Sequence, residues 1–138
     1  MAGSKSDYLE NELLDHVFKT GAYTPPTHVY VALLTSAPDD SSDGSDIAAI
    51  EADYTSYDRV ACDSWDAAAS GATENTGAVN FPASTGGSSV VTHFALLDGN
   101  AKTDADHCLY WGELAASRTI SSGDTPSFAA GDIDITED

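Results

Sequence analysis

The segment "THVYVALLT", residues 27–35, decides the fold class because it is apolar on both faces of an extended chain. β-Branched and aromatic residues dominate it, and these residue types favour strands. The prolines of "YTPP", residues 23–26, prevent a helix from continuing into it. A strand that is apolar on both faces lies inside a sheet that is covered on two sides. We therefore predict a central strand here.

The rest of the chain supplies further short strands, separated by turn residues such as Gly86-Gly87. Alternation or β-rich composition predicts strands at 54–62, 78–84, 88–98, 107–114, 117–120 and 131–138. In the last of these, Ile133 and Ile135 face inward between outward acids. Trp65, in an irregular segment, is predicted to plug one end of the core. We expect a mainly β protein: an antiparallel β-sandwich, or a flattened barrel, of about seven or eight short strands over residues 27–138.

One amphipathic helix, residues 4–20, is predicted to precede the sheet. Ser4 with Asp7, or Ser6 alone, can cap its N-terminus, and Gly21 can end it in a left-handed conformation. Its apolar stripe must dock on its own sheet or on a neighbouring subunit. The partner-docking candidates are Leu9, Leu13, Val17 and Phe18. No βαβ alternation follows, so residues 1–138 are interpreted as a single domain.

The charge of the chain excludes several partners. There are 23 acidic against 5 basic side chains, giving a net charge of −18, and the five cations are scattered. Nucleic acids and anionic membranes need a basic patch, so we expect no nucleic-acid and no membrane binding. Such an excess of acid indicates adaptation to high salt, as in a halophilic host or its virus. The alternative is a solvated acidic face in ordinary salt.

An acidic loop, residues 37–53, contains "DDSSDGSD", residues 39–46, which resembles a calcium-binding loop. Oxygen-bearing side chains stand at its positions 1, 3 and 5 and Gly44 at position 6, but position 12 is Ile50 where a bidentate Glu is needed. We expect a hydrated loop without a dedicated metal site, to which Ca²⁺ or Mg²⁺ binds at most loosely. The weak candidate ligands are Asp39, Asp43, Asp46 and Glu51.

No catalytic constellation is evident in the sequence. The histidines at 16, 28, 93 and 107 lack the short spacings of a zinc site, and no G-x-S-x-G elbow occurs. We therefore expect no enzyme activity and no cofactor. Cys62 and Cys108 can pair or remain buried thiols. The N-terminus lacks the layout of a secretory signal, so we expect synthesis in the host cytoplasm.

Segments along the whole chain resemble a family of small virion proteins of tailed bacteriophages and archaeal tailed viruses, described as phage tail-fibre-like proteins. In chain order the segments are "YLENELLDHVF", "YTPPTHVYVALLTSAP", "YDRV", "NTGAVNFPAST", "VTHFALLD" and "YWGELAASRTISSGDTPSFAAGDIDI". The resemblance implies a structural virion protein with a helix-capped β-sandwich, no catalytic residues and no cofactor. The sequence departs from the family in the acidic insert after Pro38 and in "GNAKTDADHC", residues 99–108.

Charge and resemblance together predict the outer surface of a virion. The preferred interpretation is a capsid decoration or turret protein that contacts other virion proteins and forms a homo-oligomer, with a trimer favoured. A tail-fibre, tail-tip or baseplate protein is the alternative. In either place, the loops 37–53 and 98–106 would be the tips that meet a host-surface receptor. A calcium-dependent carbohydrate-binding module is the second alternative, and a small hydrolase is the least favoured.

Overall fold

The computed structural model describes residues 3–137. Its elements in chain order are β1 (Gly3–Lys5), α1 (Asp7–Val17), β2 (Tyr30–Leu34), α2 (Gly44–Ala49), β3 (Val60–Ala61), β4 (Ala72–Glu74), β5 (Val79–Asn80), β6 (Ser88–Leu97), β7 (Cys108–Ser121), β8 (Ser127–Phe128) and β9 (Asp134–Thr136). The strands pair antiparallel throughout. The predicted mainly β, antiparallel fold with an N-terminal helix is confirmed.

The largest sheet has five strands in the order β1-β7-β6-β2-β3. Strand β2 pairs with β6 on one side, with Val31 opposite Leu96, and with β3 on the other. Residues Val31 to Leu34 are all buried. The prediction that residues 27–35 contain an interior strand is therefore confirmed, although the strand is shorter than the apolar segment.

The first face of this sheet packs against two small sheets. Val31 and Leu33 of β2 lie in one apolar cluster with Phe94, and two-stranded sheets β5–β8 and β4–β9 contribute to the same cluster. Members from these small sheets and their flanking residues are Val79, Phe81, Phe128, Ile133 and Ile135. Ile133 and Ile135 are buried as predicted, and Trp65 packs against the cluster from its edge. Two β layers thus enclose the main core.

The second face of the sheet is covered by α2, a helix that the sequence analysis did not predict. Ile47 of α2 is fully buried against the alternate residues of β2 and β6, including Leu34 and Leu97. The predicted acidic loop 37–53 is therefore wrong in part, because its centre is helical. The tetrapeptide "IAAI", residues 47–50, carries the apolar side chain that fixes this helix to the sheet.

Several predicted boundaries were also wrong. Helix α1 is shorter than 4–20, because residues 3–5 form a strand on β7 and Ser6 is the cap. Lys19, not Gly21, adopts the left-handed conformation after the helix, with φ of 64°. The two strands predicted at 107–114 and 117–120 are one strand, β7, whose pairing with β6 shifts between Val91 and His93.

The two cysteines lie in different apolar clusters, on opposite faces of the five-stranded sheet. Cys62 belongs to the cluster under the small sheets and Cys108 to the cluster under α2. Both are free thiols, and burial raises the pKa of Cys108 to about 12. Of the two alternatives left open by the sequence, the structure shows buried thiols. No helix within residues 3–137 is long and apolar enough to cross a bilayer.

Candidate functional site

Helix α1 is fixed to the sheet at its N-terminal end. The Ser6 hydroxyl accepts a hydrogen bond from the Leu9 N–H at 3.2 Å and donates one to the carbonyl of Cys108 on β7. The Ser6 N–H also donates to the Leu109 carbonyl at 3.0 Å. Leu9 is buried beneath the first turn. The cap and this one apolar anchor set the direction in which the helix leaves the sheet.

The C-terminal half of α1 carries an exposed apolar surface, here called the α1 patch, made of Leu13, Leu14, Val17 and Phe18. Leu14 is 56% exposed, Val17 64% and Phe18 71%, whereas Leu13 is half-buried. Among the residues that the structure describes, the only other large hydrophobic side chain with comparable exposure is Val90, at 51%. An exposed apolar cluster of this kind is typical of an interaction surface.

The predicted docking candidates are therefore divided between two roles. Leu9 packs into its own protein and is unavailable to a partner, so its place among the docking residues was wrong. Leu13, Val17 and Phe18 lie together, and Leu14 joins them. The division follows the length of the helix: Leu9, Leu13 and Val17 lie on one stripe, and its N-terminal end is buried whereas its C-terminal end is exposed.

A shallow groove of about 290 Å³ runs along the α1 patch. Its walls include the patch residues together with Glu10 of the first helical turn and Lys5 of β1. The Lys5 ammonium lies 2.6 Å from a carboxylate oxygen of Glu137. Burial alone would raise the pKa of Glu137, but hydrogen bonds from Lys5 and Tyr110 lower it. The groove thus combines an apolar floor with charged groups at one end.

Asp43 and Asp46, two of the weak candidate ligands, form the N-terminal cap of α2. Asp43 Oδ1 accepts hydrogen bonds from the N–H groups of Ser45 at 2.9 Å and Asp46 at 3.1 Å. Asp46 Oδ2 accepts one in return from the Asp43 N–H at 3.3 Å, which completes a capping box. The bond from the Asp46 N–H, then that from the Ser45 hydroxyl, lowers the pKa of Asp43.

Glu51, the fourth candidate ligand, faces the protein interior. Its Oε1 lies 2.6 Å from an Arg59 guanidinium nitrogen, and the Arg59 side chain has no exposed surface. The same guanidinium lies 2.9 Å from Asp106 Oδ2, and it donates to the carbonyls of Gly44 and Gly99. Because the Glu51 carboxylate pairs with this buried arginine, it holds the loops together and does not extend into solvent.

The structure therefore brings the two predicted tip loops together. The Gly44 N–H donates to the Asp106 carbonyl at 2.9 Å, and Asp43 forms a β-bridge with His107. His107 is held by Asp98 at 2.7 Å and stacks on Tyr8 of α1 with ring centroids 3.8 Å apart. Asp39 lies in the turn before this region, where its N–H donates a hydrogen bond to the Ser42 hydroxyl oxygen at 3.1 Å.

These contacts show what the acidic loop can do chemically. Between residues 3 and 137 no group of three or more histidine, cysteine or acidic side chains has a metal-binding arrangement. Asp43, Asp46 and Glu51 each accept hydrogen bonds from the protein itself. Asp43 and Asp46 therefore cap helix α2, and Glu51 forms a buried ion pair with Arg59, so all three stabilise the fold of the acidic loop.

A second recess of about 600 Å³ lies where β7 departs from β6. Leu33, Val91 and Phe128 contribute apolar walls, while Arg118 and Asp132 contribute charged ones. Sequence analysis missed this recess because the irregular pairing of β7 leaves no periodic signal. The buried partners of Arg59 were missed for a different reason: with 23 acidic residues in the chain, no spacing distinguishes Glu51 and Asp106 from the rest.

The chain matches a known protein family over most of its length. The model of the family Gp80, described as podophage GP4 fiber I protein gp80, matches residues 4–136. No curated protein matches the chain. The matched range contains both helices, all strands except the start of β1, the α1 patch and the paired tip loops.

Proposed function

The chain belongs to the Gp80 family of podophage fibre proteins, and from this we propose that it is a non-enzymatic structural subunit of a fibre on a tailed virus. The observation that carries the proposal is the length of the match, which takes in residues 4–136 of 138. A fibre protein of a virion contacts other virion proteins, so a surface for such contacts is required.

The position proposed for this subunit is the outer surface of the particle. A net charge of −18 opposes close approach to packaged DNA, whose phosphates attract basic surfaces instead. The same charge keeps an exposed protein well solvated and suits a virus whose halophilic host maintains high salt. Assembly would take place in the host cytoplasm, where the subunit is made.

The α1 patch is the surface that we assign to assembly. It gathers three of the four exposed large hydrophobic side chains of the described residues on a single short helix: Leu14, Val17 and Phe18. Removing such side chains from water is the main driving force of stable association. The joined tip loops, residues 37–53 and 98–106, are the surface that we assign to contact with a host receptor, because they are acidic and many of their residues are exposed.

The main alternative is decoration of the capsid shell, which places the subunit at many symmetric positions. The description of the matched family names a fibre protein, and we therefore favour the fibre. A calcium-dependent carbohydrate-binding module gains no support from the geometry, since Asp43 and Glu51 are engaged by groups of the protein itself.

Quantitative mass spectrometry of purified particles, with antibody-gold labelling, tests the proposal. A fibre subunit is expected in a few to a few dozen copies for each particle, with gold on the tail or its fibres. Hundreds of copies with gold over the head would establish decoration instead. Absence from washed particles would contradict any virion role.

A further inference from the structure

We propose that the α1 patch of one copy of this chain docks into the recess of about 600 Å³ beside β7 of a second copy, so that subunits join head to tail. The recess, here called the β7 recess, is lined by Leu33, Val91, residues 114–116, 118–120 and 124–128, and Asp132. The inference rests on the proposed assembly role of the α1 patch and names the surface that receives it.

The β7 recess is a part of the main core that the second β layer leaves open. Val91 of β6 and Arg118 of β7 lie directly opposite one another, so their side chains share one face of the sheet. Val91 is buried in the main apolar cluster with Leu33 and Phe128, whereas Arg118 on the same face is exposed. An apolar side chain that entered from outside would therefore extend the core of the subunit.

Irregular pairing of β7 opens this recess. Glu113 pairs with His93 and Arg118 with Val91, so residues 114–117 lie opposite Thr92 alone. These extra residues cannot continue the ladder with β6, and a strand bends where pairing is interrupted in this way. Residues 115 and 116, both exposed alanines, line the recess at this point. Their small side chains leave room for a larger group from a partner.

The α1 patch supplies apolar groups of the required kind. Phe18 caps the C-terminal end of α1 and is 71% exposed, and Val17 beside it is 64% exposed. A volume of about 600 Å³ lies within the range of roughly 300–1,000 Å³ in which proteins enclose ligand-sized groups. Docking would remove the Phe18 ring from water and cover the open part of the core, which is the main driving force of association.

The helix and the recess belong to different parts of the subunit. Helix α1 begins where Ser6 bonds to Cys108 and Leu109, at the start of β7. The recess is lined by β7 residues from 114 onward, and no residue of the α1 patch lines it in the part of the chain that the structure describes. A contact between two unlike surfaces is heterologous, and its repetition gives a closed ring or an open filament. Either arrangement suits a fibre subunit.

Charged groups of both signs are offered by the two surfaces. Within residues 3–137, Arg118 of the recess and Lys19 after α1 are the basic side chains that form no ion pair, since acids hold the other three. Asp15 lies in the last turn of α1, close to Phe18 in sequence, and Asp124 and Asp132 line the recess. A head-to-tail contact thus gives each unpaired cation acidic partners on the other copy.

The contact is expected to be weak when it acts alone. Helix α1 has eleven residues and only its C-terminal half is exposed, so docking buries less than the roughly 800 Å² for each partner that stable complexes bury. The net charge of −18 on each copy also opposes association, and salt screens that repulsion. Association should therefore increase with protein concentration and with NaCl, and the high local concentration in a virion favours it.

Light scattering after gel filtration of the purified chain tests the proposal, with concentration and NaCl varied. Phe18→Ser removes the inserted ring, and Ala116→Glu places a carboxylate in the recess. Each should weaken self-association at least tenfold, because a central apolar contact is lost. Val90→Ser and Ala68→Glu make comparable changes at exposed positions elsewhere and should leave association unchanged. Circular dichroism shows whether each variant is folded.

Mixing the two defective variants distinguishes a head-to-tail contact from a symmetric one. Phe18→Ser retains an intact recess and Ala116→Glu retains an intact α1 patch. Their mixture should therefore form a dimer with one molecule of each variant and no larger species, under conditions where each variant alone is monomeric. Arg118→Glu should weaken association of the native chain several-fold at low salt, and the difference should diminish as NaCl is raised.

Three results would overturn the inference: a native chain that is monomeric at all concentrations, self-association that Ala116→Glu leaves unchanged, or a mixture that associates no better than its components. Depletion of Phe18→Ser but not Ala116→Glu from virus particles would overturn it too, while leaving the proposed assembly role of α1 intact. Head-to-tail association of a chain that is absent from particles would contradict only the virion role.

Discussion

Arg59 Nη1 lies 2.9 Å from Asp106 Oδ2, across 47 positions of sequence, and neither side chain is open to water. The same guanidinium contacts Glu51 at 2.6 Å. One cation therefore joins the segment that contains α2 to the loop 98–106. Burial of Tyr57 and the adjacent Glu51 charge raise the pKa of the tyrosine, so that its hydroxyl remains neutral beside the ion pair.

Replacing Arg59 with Met should destabilise the protein by about 3–5 kcal/mol, because two carboxylates would remain buried without their counter-charge. The free energy of unfolding from denaturant titration at neutral pH measures the effect. The matched control is Arg118→Met, which removes an exposed arginine and should change stability by less than about 0.5 kcal/mol. Equal losses for the two variants would show that the buried ion group has no special role.

Gly44 should not tolerate a side chain. A Cβ at this position would lie 2.4 Å from both Asp106 Cβ and the Thr103 carbonyl oxygen, so Gly44→Ala must push the two loops apart. We expect a loss of about 1–3 kcal/mol, measured as a fall in melting temperature. Gly77→Ala, where nothing lies within 4 Å of the added carbon, is the control. A Gly44→Ala variant as stable as Gly77→Ala would contradict the close approach of the loops.

The pKa of Asp43 is lowered in the folded protein, chiefly by the hydrogen bond from the Asp46 N–H. The cap therefore contributes its full stability above the unfolded pKa, about 3.9, and loses it as pH falls through the folded value. Asn also caps helices but does not titrate. The melting temperature of the native protein relative to Asp43→Asn should thus decline below about pH 4. A difference that is constant with pH would mean that Asp43 is not ionised in its cap.

Salt should stabilise the folded chain strongly. Between about 0.01 M and 1 M salt the Debye length falls from about 30 Å to about 3 Å, which removes most of the repulsion among the excess acids. The melting temperature should rise by many degrees over this range. NaCl and KCl should act alike, because the effect is one of screening. An unchanged melting temperature would count against adaptation to a saline host.

Hydrophobic patterns in the sequence correctly predicted the central strand and the burial of the last strand. The double-sided apolar run that includes Val31 to Leu34 identified a central strand, and the alternation of Ile133 and Ile135 identified their burial. Helix α2 was missed although Asp43, Asp46 and the following "IAAI" form a recognisable cap and apolar segment. The number of acids around it favoured a hydrated loop, and the buried contact of Ile47 was not visible from the sequence.

The exposed residues of the candidate site on α1 were predicted only in part, because their exposure depends on tertiary contacts. The apolar stripe of α1 identified Val17 and Phe18, but a helical period alone cannot tell which end of the stripe rests on the sheet. Leu9 does so because Ser6 bonds to β7 beside it. The contact between the two tip loops could not be predicted from the sequence. It depends on the pairing of Arg59 with Glu51 and Asp106, and nothing in the sequence distinguishes these two residues from the other acids among the 23.

The incorporation of α1 variants into virus particles tests most directly whether this chain is a fibre subunit assembled through the α1 patch. Particles grown with Phe18→Ser, Val90→Ser or the native chain would be purified, and the ratio of this protein to the major capsid protein measured. We predict that Phe18→Ser is depleted at least tenfold, while Val90→Ser is incorporated like the native chain. Full incorporation of a folded Phe18→Ser protein would contradict assembly through α1.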